Sequence, residues 1–256
     1  MQAAEKATER QAAASDVRAA GVLYLLLVVT SIFGLIASQS LIVPHDANAT
    51  AHNISSSETL FRLGLVSSLI GTIAFVFLGR ELYRLLKDVN PTRASLMVVL
   101  VLLSVPISFV SWLNEAAALR LIDGTGVSGL AASQVNGLAT FFLGLSGDAD
   151  ALNSIFFGLW LFPFGLLVIK SGFIPRILGY LLIVAGCSYL LGSLNFLLSP
   201  PFGPVVSGIV TVGYLAELPV VGWLVFKAAQ VQLGGANALI RNRTNTDSNL
   251  EGGNLW

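Results

Sequence analysis

Charge is what this chain has least of. Only 11% of its 256 residues are Asp, Glu, Lys or Arg, against about 25% in an average soluble domain. Hydrophobic residues make up 55% and the mean hydropathy is +0.79. The polar coat of a soluble globule is missing, and so is the composition of a disordered chain. There is one cysteine, Cys187, in an apolar run. It excludes an intramolecular disulfide and a cysteine metal cage. The two histidines, His45 and His52, are too few for a histidine-rich metal centre. Nor is there an excess of one sign: 14 basic residues balance 14 acidic ones, which implies no nucleic-acid partner. The sequence has no phosphate loop, no dinucleotide motif and no haem-ligating histidine pair in an apolar run, so no cofactor is expected. Period-two alternation is absent from the apolar segments, which argues against a β-barrel.

Long apolar runs are there instead. Crossing roughly 30 Å of hydrocarbon takes about 20 mostly apolar residues in a helix. Six runs qualify: about 19–38, 60–84, 94–119, 151–170, 176–198 and 204–228, together just over half of the chain. The expected fold class is all-α, a polytopic bundle of six transmembrane helices. The membrane domain would cover 17–229, between a tail at 1–16 and a polar, Gly/Asn-rich tail at 230–256 that reads as disordered. The first run is longer than the apolar core of a signal peptide, and Ser38-Gln39 lacks a small-residue cleavage pattern, so a retained helix is expected. With alternating helices and a cytoplasmic N-terminus, every basic residue except Arg62 and Arg120 falls on the cytoplasmic side. That asymmetry places both termini in the cytoplasm of a bacterial inner membrane.

The connecting segments carry their own signals. Asp46 is positioned to cap a short helix running to about Asn53. Ser55-Ser-Ser-Glu58 has capping-box spacing ahead of the second run. Residues 131–146 read as a helix with Val135, Leu138, Phe142 and Leu145 on one stripe; it either lies at the outer interface or extends the fourth helix. Gly158 and Gly165, then Gly179 and Gly186, repeat at heptad spacing on the fourth and fifth runs. Small residues on one face let helices approach closely, so these two runs are expected to form a tight antiparallel hairpin.

Several of these segments resemble one family. The run from Phe157 to Cys187 with its Leu159-Trp-Leu-Phe-Pro163 core, Arg18-Ala-Ala-Gly-Val-Leu-Tyr24, the loop Val43 to Ile54 leading into Phe61-Arg-Leu-Gly-Leu65, Leu82 to Pro91, and Ala216-Glu-Leu-Pro-Val220 are similar to the bacterial domain of unknown function 4386 family. The resemblance covers roughly residues 17–228. It implies a six-helix inner-membrane protein and brings no activity, substrate or catalytic residue. Ser146 departs from it, standing where family members often carry His just before the fourth helix.

An ionisable group inside a span costs about 2.5–3.5 kcal/mol on insertion scales and marks a functional candidate. Glu217 lies near the middle of the sixth run, two residues before Pro219, which frees the carbonyl of Leu215. Glu115 lies near the outer end of the third run beside Asn114, with Asn153 and Asn195 at similar depth and Asp150 slightly above. Pro106 and Pro163 interrupt the third and fourth runs, and broken helices around polar groups suit a substrate or proton pathway. The expected site is an outward-facing polar pocket with Glu217 as its deep protonatable group and Glu115 near its mouth. Each carboxylate has a second reading, as a hydrogen-bonded group that only fixes packing.

No catalytic or metal residue is assigned. Gly144-Leu-Ser-Gly147 spells a rhomboid-protease motif, but the histidine that mechanism needs on the sixth helix is missing. Beyond the lipid bilayer, three partner readings stand. One is a small lipophilic ligand that is bound or passed across. The second is a membrane protein docked by an accessory subunit, and the third is lipid, as the substrate of a membrane enzyme.

Overall fold

The computed structural model describes residues 2–124, 129–198 and 215–227, with single positions 206, 208, 210, 211 and 213 between; side chains are described from residue 16. The chain is all-α. In order come α1 (Gln2–Gln39), α2 (Ala47–Ser56), α3 (Glu58–Leu86), α4 (Pro91–Ile122), α5 (Ala132–Leu159), α6 (Leu161–Ser171) and α7 (Arg176–Leu198). A 3-10 turn at Leu215–Glu217 then leads into helix over 218–227. Five helical stretches among the described residues are long and apolar enough to cross a membrane, so the molecule is a membrane bundle. The expected sixth span, 204–228, begins outside the described residues, and the tail at 230–256 and residues 125–128 of the glycine-rich link lie wholly outside them.

Prolines explain where the helices break. Pro163 cannot donate to the carbonyl of Leu159 and its ring crowds it. The helix breaks at Trp160, and Pro163 sits in the first turn of α6, where its missing N–H costs nothing. The 3-10 turn before Pro219 has the same cause. Pro106 lies inside α4 without ending it. There, Ser104 donates to the carbonyl of Val101 at 2.7 Å and Ser108 to that of Ser104 at 3.3 Å. Neither acceptor is the carbonyl of Leu102, the one that Pro106 leaves without its helical donor.

The fourth span is longer than expected. α5 and α6 together form one apolar stretch from Ala132 to Ser171, 40 residues, which at 1.5 Å per residue is about 60 Å. That is about twice the hydrocarbon thickness. Residues 131–146 therefore extend the fourth helix rather than lying flat beside it. α2 packs against this extension and joins Leu41, Ile54, Phe61, Leu119, Ala139 and Leu143 in a small apolar cluster. Asp46 caps α2 by accepting from the backbone N–H of Ala49 at 2.9 Å. The capping box expected over Ser55–Glu58 does not form. Ser57 takes the N-cap position of α3 without a side-chain bond, Ser55 donates to the carbonyl of His52, and Glu58 pairs with Arg62 instead. An ion pair one turn along the same helix competes for the glutamate that the box would need.

α1 runs beside α3, α4 beside α5, and α6 beside α7, while α3 bridges to α4 and α5 to α7. In lipid there is no hydrophobic drive between helices, so close van der Waals fit and interhelical hydrogen bonds hold them. The glycines supply that fit between the fourth and fifth spans. A Cβ on Gly165 would lie 2.7 Å from the carbonyl oxygen of Gly179, and one on Gly158 would lie 2.8 Å from that of Gly186. These four glycines thus face each other in two pairs. A large apolar cluster fills the end of the bundle that carries Arg80, Lys170 and Arg176, around Tyr24, Leu78, Leu82, Met97, Trp160 and Phe164. Outward faces show the reverse pattern: Val29, Ile32, Val66, Leu102, Phe109 and Leu191 are exposed where lipid would lie.

Candidate functional site

Between the two apolar clusters the α4–α5 interface turns polar. On α4, Ala94, Met97 and Val101 are buried, and their heptad spacing continues through Ser104, Ser108, Ser111 and Glu115. On α5 the facing residues are Ser146, Asp150 and Asn153, between Leu143 above and the cluster around Trp160 below. Ser104, Ser108, Ser111, Ser146 and Asn153 are all buried. Glu115 is half-buried and Asp150 exposed, so the seam opens at their level.

The hydrogen bonds run along this seam. The Ser146 hydroxyl donates to Glu115 Oε1 at 3.3 Å and lies 2.8 Å from the Ser111 hydroxyl. Asp150 is a near neighbour of both Glu115 and Ser111. Farther in, Asn153 Nδ2 donates to the Ser108 hydroxyl at 2.9 Å. The other end of the same amide, Oδ1, is buried without a partner, in a residue only 1% exposed. Buried acceptors are almost always paired, by protein or by water. Neither Glu115 nor Asp150 is in an ion pair among the described residues.

Depth follows from helix rise. Along α5–α6, Asp150 lies about 30 Å from the Ser171 end, one hydrocarbon thickness away. Glu115 is at a similar distance from the start of α4. With the basic end at Lys170 and Arg176 taken as one membrane boundary, the mouth of the seam falls at the other, and Ser108 and Asn153 lie between them.

Glu217 belongs to a different place. Its Oε1 accepts from the Tyr24 hydroxyl of α1 and its Oε2 from the Tyr189 hydroxyl of α7 at 3.4 Å. Both carboxyl oxygens are thus engaged. Tyr24 is fully buried, and the rings of Phe75 and Trp160, and of Tyr24 and Trp160, pack around this contact. Glu217 lies about 15 Å along a helix from Lys227, near mid-membrane. No described contact joins it to Glu115.

The asparagines separate as well. Asn114 donates to the carbonyl of Val110 at 2.9 Å on its own helix, off the seam. Asn195 is half-buried on α7, near Ser193, whose hydroxyl ties α7 to α5 through the carbonyl of Ala151 at 2.7 Å. Of the six expected pathway residues, the structure thus brings together Glu115, Asp150 and Asn153. It adds four that sequence reasoning missed, Ser108, Ser111, Tyr24 and Tyr189, and gives Ser146 a bonding role. The serines were detectable as a heptad run ending on Glu115. Tyr24 and Tyr189 carried no signal, because each is one aromatic residue in an apolar span. No group of three or more His, Cys, Asp or Glu side chains among the described residues is arranged to hold a metal ion.

No curated protein and no solved structure matches this chain. A family model does, over residues 19–228, which takes in every helix that builds the seam and the residues that clasp Glu217. The chain belongs to the family defined by the domain of unknown function DUF4386.

Proposed function

We propose that this membrane protein binds, or passes across the bilayer, a small amphiphilic molecule carrying a positive charge or a strong hydrogen-bond donor, in the seam between α4 and α5. The observation that carries the reading is the unpartnered Asn153 Oδ1 inside a seam headed by two carboxylates. The groups left over for a ligand are acceptors: Glu115, Asp150 and Asn153 Oδ1. A ligand that satisfies them brings donors or a positive charge. Apolar neighbours such as Phe142, Leu143 and Phe157 suit a lipophilic body. The role is non-enzymatic binding or permeation. Glu217, with both oxygens hydrogen-bonded, serves packing in this reading. The orientation is the one implied by the basic residues, with the mouth of the seam on the outer face of a bacterial inner membrane.

The accessory-subunit reading has less support, because the glycine faces meant to dock a partner are occupied by each other. The test of the leading reading uses the lipophilic cation tetraphenylphosphonium as probe, titrated into the purified full-length protein in detergent. Saturable binding is expected, and Glu115→Gln/Asp150→Asn is expected to weaken it by about 30-fold or more. Absence of saturable binding to the wild type, or equal binding by the double variant, overturns the proposal.

A further inference from the structure

The end of the bundle opposite the seam has two clefts of its own. One, of about 740 Å³, is lined by Asp88, Lys170, Arg176 and Tyr180 among others. The second, of about 490 Å³, lies on the other side of the α6–α7 turn, with Arg176, Trp223 and Lys227 in its wall. Arg176 and Gly172 border both, so the clefts flank one turn. Lys170 and Arg176 are exposed, and neither side chain is in a hydrogen bond or ion pair among the described residues. Asp88 shares the first cleft and lies beyond ion-pair distance of both cations. This differs from Arg80 and Arg84 at the same end, which are engaged by Glu81 and Asp16.

The surface below the turn is apolar. Ile177, Tyr180 and Val184 are exposed along one face of α7, at helical spacing, leading away from Arg176 toward mid-membrane, and Leu191 and Leu194 continue that face beyond it. Phe173, exposed at the turn, and Trp223 add the aromatic rings found at head-group level. A cleft with unpaired cations at the membrane boundary, continued by an apolar track that crosses the near leaflet, matches one chemistry. It fits a phosphate head group joined to acyl chains. Arg presents a planar fork suited to phosphate oxygens, and Lys adds a point charge.

From this juxtaposition we infer that the clefts around the α6–α7 turn form a binding site for an anionic phospholipid, with Arg176 and Lys170 holding the phosphate and the exposed face of α7 carrying an acyl chain. The site is separate from the α4–α5 seam, so it stands or falls independently of the proposed function.

The test uses the full-length protein in a non-ionic detergent, with phosphatidylglycerol or phosphatidylcholine titrated and bound lipid counted by native mass spectrometry. The wild type is expected to prefer phosphatidylglycerol by about 30-fold, the combined effect of two surface cations. Lys170→Gln/Arg176→Gln removes that preference, and Arg62→Gln, at the other end of the molecule, keeps it. Equal affinity of the wild type for both lipids, or an unchanged preference in the double variant, overturns the site. Displacement of the lipid by millimolar inorganic phosphate overturns the lipid assignment in favour of free phosphate. If the double variant does not fold, the wild type decides alone. Raising salt from about 0.05 to about 0.5 M shortens the screening length severalfold and is expected to erode the preference; a flat response overturns it.

Discussion

Two regions of this molecule put carboxylates into a membrane bundle and treat them in opposite ways. Glu217 sits near mid-membrane, where an acid is most expensive, and both of its oxygens are taken by tyrosine hydroxyls from two other helices. Glu115 and Asp150 sit at the mouth of the seam, where an acid costs less, yet Glu115 accepts one hydrogen bond, from Ser146, on one of its two oxygens, and the seam below ends on an unpaired amide oxygen. Depth alone would have ranked Glu217 as the stronger functional candidate. Satisfaction of hydrogen-bonding groups reverses the ranking. A deep acid with complete partners is a clasp between helices, and a shallower one with incomplete partners leaves something for a ligand to complete.

The contrast can be broken most sharply at the clasp. Tyr24→Phe/Tyr189→Phe removes both donors and leaves the Glu217 carboxyl without partners. The loss expected is about 3 kcal/mol of stability, read by unfolding in mixed micelles with sodium dodecyl sulfate. A double variant as stable as the wild type would remove the clasp from the comparison. At the mouth of the seam the effect should fall on binding. Glu115→Gln/Asp150→Asn is expected to weaken tetraphenylphosphonium binding by about 30-fold or more, about 2 kcal/mol, while its unfolding curve overlays that of the wild type.

A smaller effect separates the two regions further. Asn153→Leu removes an orphaned acceptor but also the bond from its Nδ2 to Ser108, so the two effects offset each other and stability should change by less than about 1 kcal/mol. The same variant should bind the probe less well. A clear loss of stability would mean that Asn153 is structural glue and that the seam resembles the clasp after all. The smallest change is expected for Ser104→Ala. Its hydroxyl bonds only the carbonyl of Val101 on its own helix, so a shift near 0.5 kcal/mol in the same unfolding assay is anticipated.

Much of the architecture was legible before any tertiary information. The apolar runs at 19–38, 60–84, 94–119 and 176–198 all fall within helices, and Asp46 caps α2 as its position beside a helix-forming stretch suggested. The glycine spacing pointed to the α6–α7 hairpin and its close approach to α5. Other features were not legible, for identifiable reasons. Ser55-Ser-Ser-Glu58 fits the capping-box pattern, but the pattern does not say that Arg62 will compete for Glu58. Whether residues 131–146 extend the fourth span was open in the sequence, since an apolar helix beside a membrane can lie flat as readily as project; in the fold they continue it, and α2 packs against them.

By itself, the sequence determined that this protein lives in a membrane, that it is helical, where most of its spans lie, and which end of the bundle is basic. These follow from local rules: a hydrocarbon slab about 30 Å thick constrains each run of about 20 residues independently of the others. Only the tertiary structure decided which acid is satisfied and which is not. Tyr24 and Glu217 lie far apart in the chain and meet because α1 packs against the helix over 218–227, where Gly21 lies against the carbonyl of Leu224. Whether a side chain meets a donor depends on the rotation of its helix against neighbours contributed from elsewhere, and no span carries that information alone.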